Sequence, residues 1–384
     1  MQFIDLKSQY KLLKEKIDSN IHKVLDHGQY VMGPEVIALE AQLANYAGTK
    51  HCISCSSGTD ALVMALMAYG IGKGDVVITT PFTFIATAEA IEFVGATPLF
   101  IDIDIETFNI SPKLIEEALN DISKNKNTIH SKICTDVTKI KAIISVDLFG
   151  LPADAIKINK IAKDFNLVVI EDAAQGFGGS INGNKAGSLA DIGCTSFFPA
   201  KPLGCYGDGG AIFTNDDDIA NKLKSIRVHG QGEDKYQNVR LGLTGRLDTI
   251  QAAVLLPKLE VFDSEIEQRQ NVAKLYTANL ANVDEVTTPA TPDGYVSAWA
   301  QYTLMAKDDN HRTVIMDHLK NNNIPVAVYY PIPLHEQKVF ENLGYNPDDF
   351  SVSSNAAKRV FSLPMHPYLE TKDIETICDL IGTL

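Results

Sequence analysis

The sequence has little that would place it on nucleic acid, in a membrane or in an oxidising compartment. Its 34 lysines and arginines stand against 48 aspartates and glutamates, a net charge of −14. That leaves no basic surplus for a phosphate backbone or an anionic bilayer. No run approaches the roughly 18 apolar residues of a membrane span. The start, MQFIDLKSQYKLLKEK, has neither the apolar stretch nor the cleavage pattern of a secretory signal. Six cysteines (Cys52, Cys55, Cys134, Cys194, Cys205 and Cys378) are scattered over 384 residues, which argues against a disulfide framework and predicts a reduced, cytoplasmic protein. Cys52 and Cys55 have CxxC spacing, but HCISC reads as a strand, which turns residues three apart to opposite faces. No metal site is expected there. No GxGxxG follows the first strand, which argues against an NAD-dependent oxidoreductase. Internal repeats and low-complexity segments are also lacking.

What is present fits a large α/β core with a smaller domain: 45% of residues are hydrophobic and 21% charged. Residues 8–25 and 34–47 read as helices divided by Gly33-Pro34, a breaker followed by a helix start. From His51 short apolar strands alternate with helices: strands 51–55, 75–79, 97–102, 141–147, 167–171, 192–197 and 210–214, with helices 59–70, 85–94, 112–121, 154–164 and 217–228. Such alternation predicts right-handed βαβ units and a mainly parallel sheet. Residues 122–138 read as an exposed loop, and a long helical pattern from 246 to 280 should be kinked or interrupted at Pro257. Beyond TTPATPDG, strands 299–305 and 324–330 and helices 311–322 and 371–382 suggest a compact α+β unit. The expected division is 1–250, an arm and a large α/β domain, and 251–384, the long helix and a small domain.

The chemistry gathers around DIGCTSFFPAKPLGCYGDGGAIFT, where Lys201 follows an apolar strand at the carboxyl end, the end at which α/β sheets bind ligands. Desolvation by Phe197, Phe198 and Tyr206 would lower its pKa and free a neutral amine to attack a carbonyl. Asp172 ends the apolar strand LVVIED, a position that suits either a helix N-cap or the partner of a protonated pyridine nitrogen. Gln175 lies one turn on, within reach of a ring oxygen. In SSGTDAL, Gly58 permits close approach of a ligand, and the free amides at the helix start suit a phosphate, with Ser196 as a further donor. Phe84 is placed to lie on a planar ring. Together these residues describe a phosphorylated pyridine aldehyde held as an imine, pyridoxal 5′-phosphate.

The motifs FIDLKSQY, GTDAL, PFTFIATAEA, EDAAQ, SFFPAKPLGCYGDGGA, GRLDTIQAA, YYPIPLH and SLPMHPYL, in this order, resemble the DegT/StrS-type nucleotide-sugar aminotransferases along nearly the whole chain. The resemblance implies a pyridoxal-phosphate enzyme of fold type I, with a mainly parallel seven-stranded sheet flanked by helices and a smaller α+β domain. It implies Lys201 as the Schiff-base lysine, Asp172 on the pyridine nitrogen, Gln175 near the ring hydroxyl, Phe84 on the ring, and Gly58, Thr59 and Ser196 around the phosphate. It also implies a homodimer whose sites are shared, bringing in the loop with Thr244 and Arg246. The family usually has asparagine where this chain has Thr244, which is shorter and has no amide donor.

The implied reaction moves an amino group from L-glutamate to a nucleotide-linked keto sugar, with C3 of UDP-2-acetamido-2-deoxy-3-oxo-glucuronate as the expected acceptor in surface-polysaccharide (O-antigen) synthesis. Arg246, Tyr329, Tyr330, His229 and His335 are the candidate substrate contacts, Tyr329 standing where the relatives of that subgroup have histidine. A 4-keto-6-deoxy sugar is the alternative acceptor, and a non-catalytic regulator that binds the cofactor or a sugar nucleotide is the alternative of a different class.

Overall fold

The computed structural model describes residues 1–234 and 236–384. Its centre is a sheet of seven strands: β1 (His51–Cys55), β2 (Val76–Thr79), β3 (Thr97–Phe100), β4 (Ile140–Val146), β5 (Val168–Asp172), β6 (Ile192–Ser196) and β7 (Gly210–Thr214). Their spatial order is β1-β7-β6-β5-β4-β2-β3. Strands β3, β2, β4, β5 and β6 pair in parallel, while β7 runs antiparallel to both β6 and β1. The strands are almost wholly buried apolar runs, the pattern of a sheet covered on both faces.

Five helices cover it, and all but the one at Ala86–Phe93 have a side-chain N-cap. They are α3 (Gly58–Ala68), α4 (Ala86–Phe93), α5 (Pro112–Ser123), α6 (Ala155–Phe165) and α7 (Asp217–Ile226), preceded in the chain by α1 (Leu6–His27) and α2 (Pro34–Ala47). Pro34 opens α2 directly after Gly33, where proline's missing N–H and fixed φ do no harm. Residues 122–138 complete α5 and form two short 3-10 turns, and Cys134 within them is buried rather than exposed.

The helix α8 (Thr249–Leu280) runs unbroken through Pro257, contrary to the expected interruption. Proline at 257 cannot donate to the Ala253 carbonyl, and the side chain of Asn20 on α1 supplies a replacement, Nδ2 lying 3.4 Å from that oxygen. The far half of α8 enters a second core with Tyr276, Tyr302, Leu304, Ile315, Phe361 and Ile377. There β8 (Val286–Thr287), β9 (Tyr302–Ala306) and β10 (Val360–Leu363) form an antiparallel sheet, with α9 (Asp309–Asn321), α10 (Ser351–Arg359) and α11 (Thr371–Gly382). The strand expected at 324–330 does not form; only Ala327 bridges Ser362. Prolines at 325 and 331 bracket that segment and offer no ladder donor. The strand comes instead from Val360–Leu363, whose last two residues open the SLPMHPYL motif.

Candidate active site

The carboxyl ends of β1, β2, β5 and β6 open onto one cavity of roughly 430 Å3. Gly58, Thr59, Phe84, Asp172, Gln175, Ser196, Lys201, Tyr329 and Tyr330 all line it. At the β1 end, Ser57 caps α3 by accepting the Asp60 amide at 3.0 Å. The amides of Gly58 and Thr59 then have no partners within the helix and present the positive end of its dipole. Ser196 reaches the same spot from β6. A methyl group on Gly58 would lie 2.7 Å from the Ser196 Cβ, so only glycine lets the two segments meet.

Asp172 is almost fully buried at the end of β5. The Thr87 hydroxyl donates to its Oδ2 at 2.8 Å and the Ala174 amide to its Oδ1 at 3.2 Å. Burial pushes its pKa up, opposed by the Thr87 bond and by the charge of Lys201. Lys201 is pushed the other way: burial lowers its pKa, and the attraction of Asp172 works against the shift. Each group is therefore drawn toward its neutral form and held back by the other.

Gln175 is anchored at both ends of its amide. Its Oε1 accepts the Phe149 amide at 3.0 Å, and its Nε2 donates to the Tyr330 hydroxyl at 3.4 Å. The ring of Phe84 is 52% exposed within the cavity wall, 6.1 Å from that of Tyr330. Phe198 also lines the cavity, whereas Phe197 is buried in the core beneath it. Tyr206, which the sequence places against Lys201, does not line the cavity, and its ring carries Lys258 Nζ at 4.2 Å. Lys258 in turn donates to the Gly204 carbonyl at 2.6 Å, tying the loop that bears Lys201 to α8.

Four candidates lie outside this cavity. His229 and Thr244 form an exposed pair, Nε2 to Oγ1 at 2.8 Å. Arg246 is half-buried near them. His335 packs edge-on against Phe350 at 4.7 Å, its Nε2 facing the Pro347 carbonyl at 3.3 Å. Conversely, Thr83, Thr87, Asp208 and Gln301 line the cavity without having been singled out in the sequence. The signal for Thr87 was present in the PFTFIATAEA motif, one helical turn after Phe84.

The sequence profile of the DegT/DnrJ/EryC1/StrS aminotransferase family matches residues 11–382. The chain belongs to that family. Among its relatives, UDP-2-acetamido-2-deoxy-3-oxo-D-glucuronate aminotransferase of Pseudomonas aeruginosa is 47% identical over 98% of both chains. UDP-N-acetyl-3-dehydro-alpha-D-glucosamine 3-aminotransferase of Acidithiobacillus ferrooxidans is 39% identical over 98% of this chain and 96% of its own. Among solved structures, S. venezuelae DesV in complex with a ketimine intermediate superposes with a TM-score of 0.92 at 32% identity, covering 100% of this chain and 97% of that one.

This DegT-family chain is accordingly a transaminase whose cofactor is pyridoxal 5′-phosphate. The donor set fits that group. A glycine-opened helix start with a nearby serine suits a phosphate, a buried carboxylate suits a pyridinium, and an amine of lowered pKa suits an aldehyde. All six cysteines are free and buried. Among the described residues there is no cluster of side chains able to hold a metal and no helix long and apolar enough to cross a membrane.

Proposed function

We propose that this aminotransferase transfers the amino group of L-glutamate to C3 of UDP-2-acetamido-2-deoxy-3-oxo-glucuronate, in the cytoplasmic synthesis of an amino sugar for a surface polysaccharide such as O-antigen. The observation that carries the reading is the approach of Lys201 and Asp172 in one cavity, with each pKa displaced by burial and held by the other's charge. The choice of acceptor is supported by the two relatives named for 3-keto UDP sugars.

Bound in the cavity, pyridoxal phosphate supplies an electron-withdrawing ring conjugated to the reacting nitrogen. Asp172, buried and steadied by Thr87 and Ala174, would hold a proton on the ring nitrogen. The amides of Gly58 and Thr59 and the Ser196 hydroxyl fix the phosphate, and Gln175 is held ready for the ring oxygen. Phe84, half-exposed in the cavity wall, would cover one face of the ring and exclude water from it. With the cofactor bound, Lys201 would hold it through Nζ as an imine that the amine of glutamate can displace. Its freed amine would then carry the proton from the amino acid's α-carbon to the cofactor, and in the second half of the cycle from the cofactor to C3 of the sugar. The working unit on this reading is a homodimer in which Thr244, Arg246 and His229 face the partner's cavity.

The test is a pair of half-reactions on cofactor-loaded protein. Glutamate should bleach the visible absorbance of the lysine-bound cofactor and release 2-oxoglutarate. UDP-linked 3-keto-N-acetylglucosaminuronate should restore the absorbance and yield the 3-amino sugar. Lys201→Ala should lower turnover by roughly 10²–10⁴-fold or more. Restoration only by a 4-keto-6-deoxy sugar nucleotide would move the assignment to that class, and no response to glutamate would overturn the reading.

A further inference from the structure

Among the described residues nine buried side-chain nitrogen or oxygen atoms have no hydrogen-bond partner, and one of them, Oε1 of Gln301, belongs to a residue that lines the cavity. Buried polar atoms are nearly always paired, so an orphan at a ligand site calls for a partner on the ligand. Three other residues of the wall offer a contrast. Asp172 is occupied by Thr87 and Ala174, Gln175 by Phe149 and Tyr330, and Ser57 by the amide of Asp60.

The Gln301 backbone is fixed although its amide is free. Its N–H donates to the Phe149 carbonyl at 3.2 Å, and the neighbouring Ala298 amide donates to the Gly150 carbonyl at 2.8 Å. The two segments touch so closely that a Cβ on Gly150 would lie 2.5 Å from the Trp299 nitrogen. Phe149 is also the residue whose amide holds Gln175. One backbone position thus sets both glutamines on the same wall, Gln175 committed within the protein and Gln301 uncommitted.

We propose that Gln301 is a specificity residue for the acceptor sugar, its Oε1 accepting a hydrogen bond from a donor on the sugar ring, either a hydroxyl or the acetamido N–H. This rests on the functional reading above. The chemistry separates the two substrates. Oε1 needs a donor, whereas the carboxylates of glutamate offer only acceptors and its amine is taken up in bonding to the cofactor. A keto sugar carries several donors beyond its reacting carbonyl. A site built to bond a substrate hydroxyl or N–H discriminates strongly against an analogue without it, because its own polar group is left unpaired.

The experiment measures each half-reaction separately in Gln301→Leu and Gln301→Met, with wild-type protein as the reference. Bleaching by glutamate should proceed at the wild-type rate. Recovery with UDP-linked 3-keto-N-acetylglucosaminuronate should lose roughly 10-fold or more in kcat/KM. Wild-type protein given analogues in which the 4-hydroxyl is removed, or the acetamido N–H replaced by an ester oxygen, identifies the donor. The analogue lacking it should lose a similar factor with wild type and no further factor with the variants. Equal slowing of both half-reactions, or unchanged recovery in both variants, would overturn the proposal. If both variants fail to fold, wild type's indifference to both analogues would do so alone. Failure of wild type to recover with the parent sugar would instead count against the acceptor assignment.

Discussion

Lys201 lines the cavity with its pKa lowered by burial, and its chemistry gives a directional test. Burial lowers its pKa from the ordinary 10.5, and Asp172 raises it. A negative neighbour favours the protonated amine, so removing that charge must lower the pKa further. In protein freed of cofactor, labelling of Lys201 by a small amine reagent, followed by mass spectrometry, should rise with pH to a midpoint below 10.5. Asp172→Asn should move that midpoint to lower pH. A midpoint that stays or rises would show that the two groups do not interact as placed. Lys201 and Asp172 were legible because each is a polar residue ending an apolar strand, a local pattern. The bond between Thr87 and Asp172 was not, although Thr87 lies in PFTFIATAEA, because it spans 85 positions and exists only once β2, β4 and β5 lie side by side. Gln301 carried no signal either, since a glutamine in SAWAQYT reads as ordinary until the cavity shows what it faces.

At the scale of elements, α8 shows how a neighbouring helix rescues a local rule. Proline inside a helix forfeits a hydrogen bond and crowds the preceding turn, a cost of about 3 kcal/mol. The sequence therefore predicts a break at Pro257. The break is avoided because α1 packs along α8 and places Asn20 against the freed Ala253 carbonyl. Asn20→Ala should lower unfolding stability by about 1 kcal/mol. In a Pro257→Ala background the restored helical N–H satisfies Ala253, and the Asn20 substitution should then have little effect. A denaturation cycle over the four proteins checks this, and additive losses would mean that Asn20 acts through other contacts. The missed strand at 360–363 has a similar cause. Both segments have strand-like composition, and the choice between them was made by proline placement and by pairing with Tyr302–Met305. The parallel half of the sheet was easier to read because βαβ alternation encodes its topology locally.

At the scale of the whole molecule the charge of the cavity matters. Among its described lining residues Lys201 is the only basic side chain, against Asp172 and Asp208. Its ligands, a phosphate and on the proposed reading a sugar diphosphate with a carboxylate, need more positive charge than this wall provides. Outside the cavity, the candidate contact Arg246 and the nearby Arg240 lie on a segment that also exposes Val239 and Leu241, the latter 88% open. Exposed apolar side chains beside arginines suit burial against a second copy of the chain. If Arg246 serves the partner's cavity, then Lys201→Ala and Arg246→Ala each disable a homodimer, but a mixed dimer keeps one cavity with both residues intact. Dissociating and reassociating equal amounts of the two variants should therefore regain about a quarter of wild-type sites. Sedimentation must show dimers before and after mixing. No regain from mixed dimers would place Arg246 in the site of its own chain, or outside the reaction altogether, and would leave the cavity's missing charge to be found elsewhere.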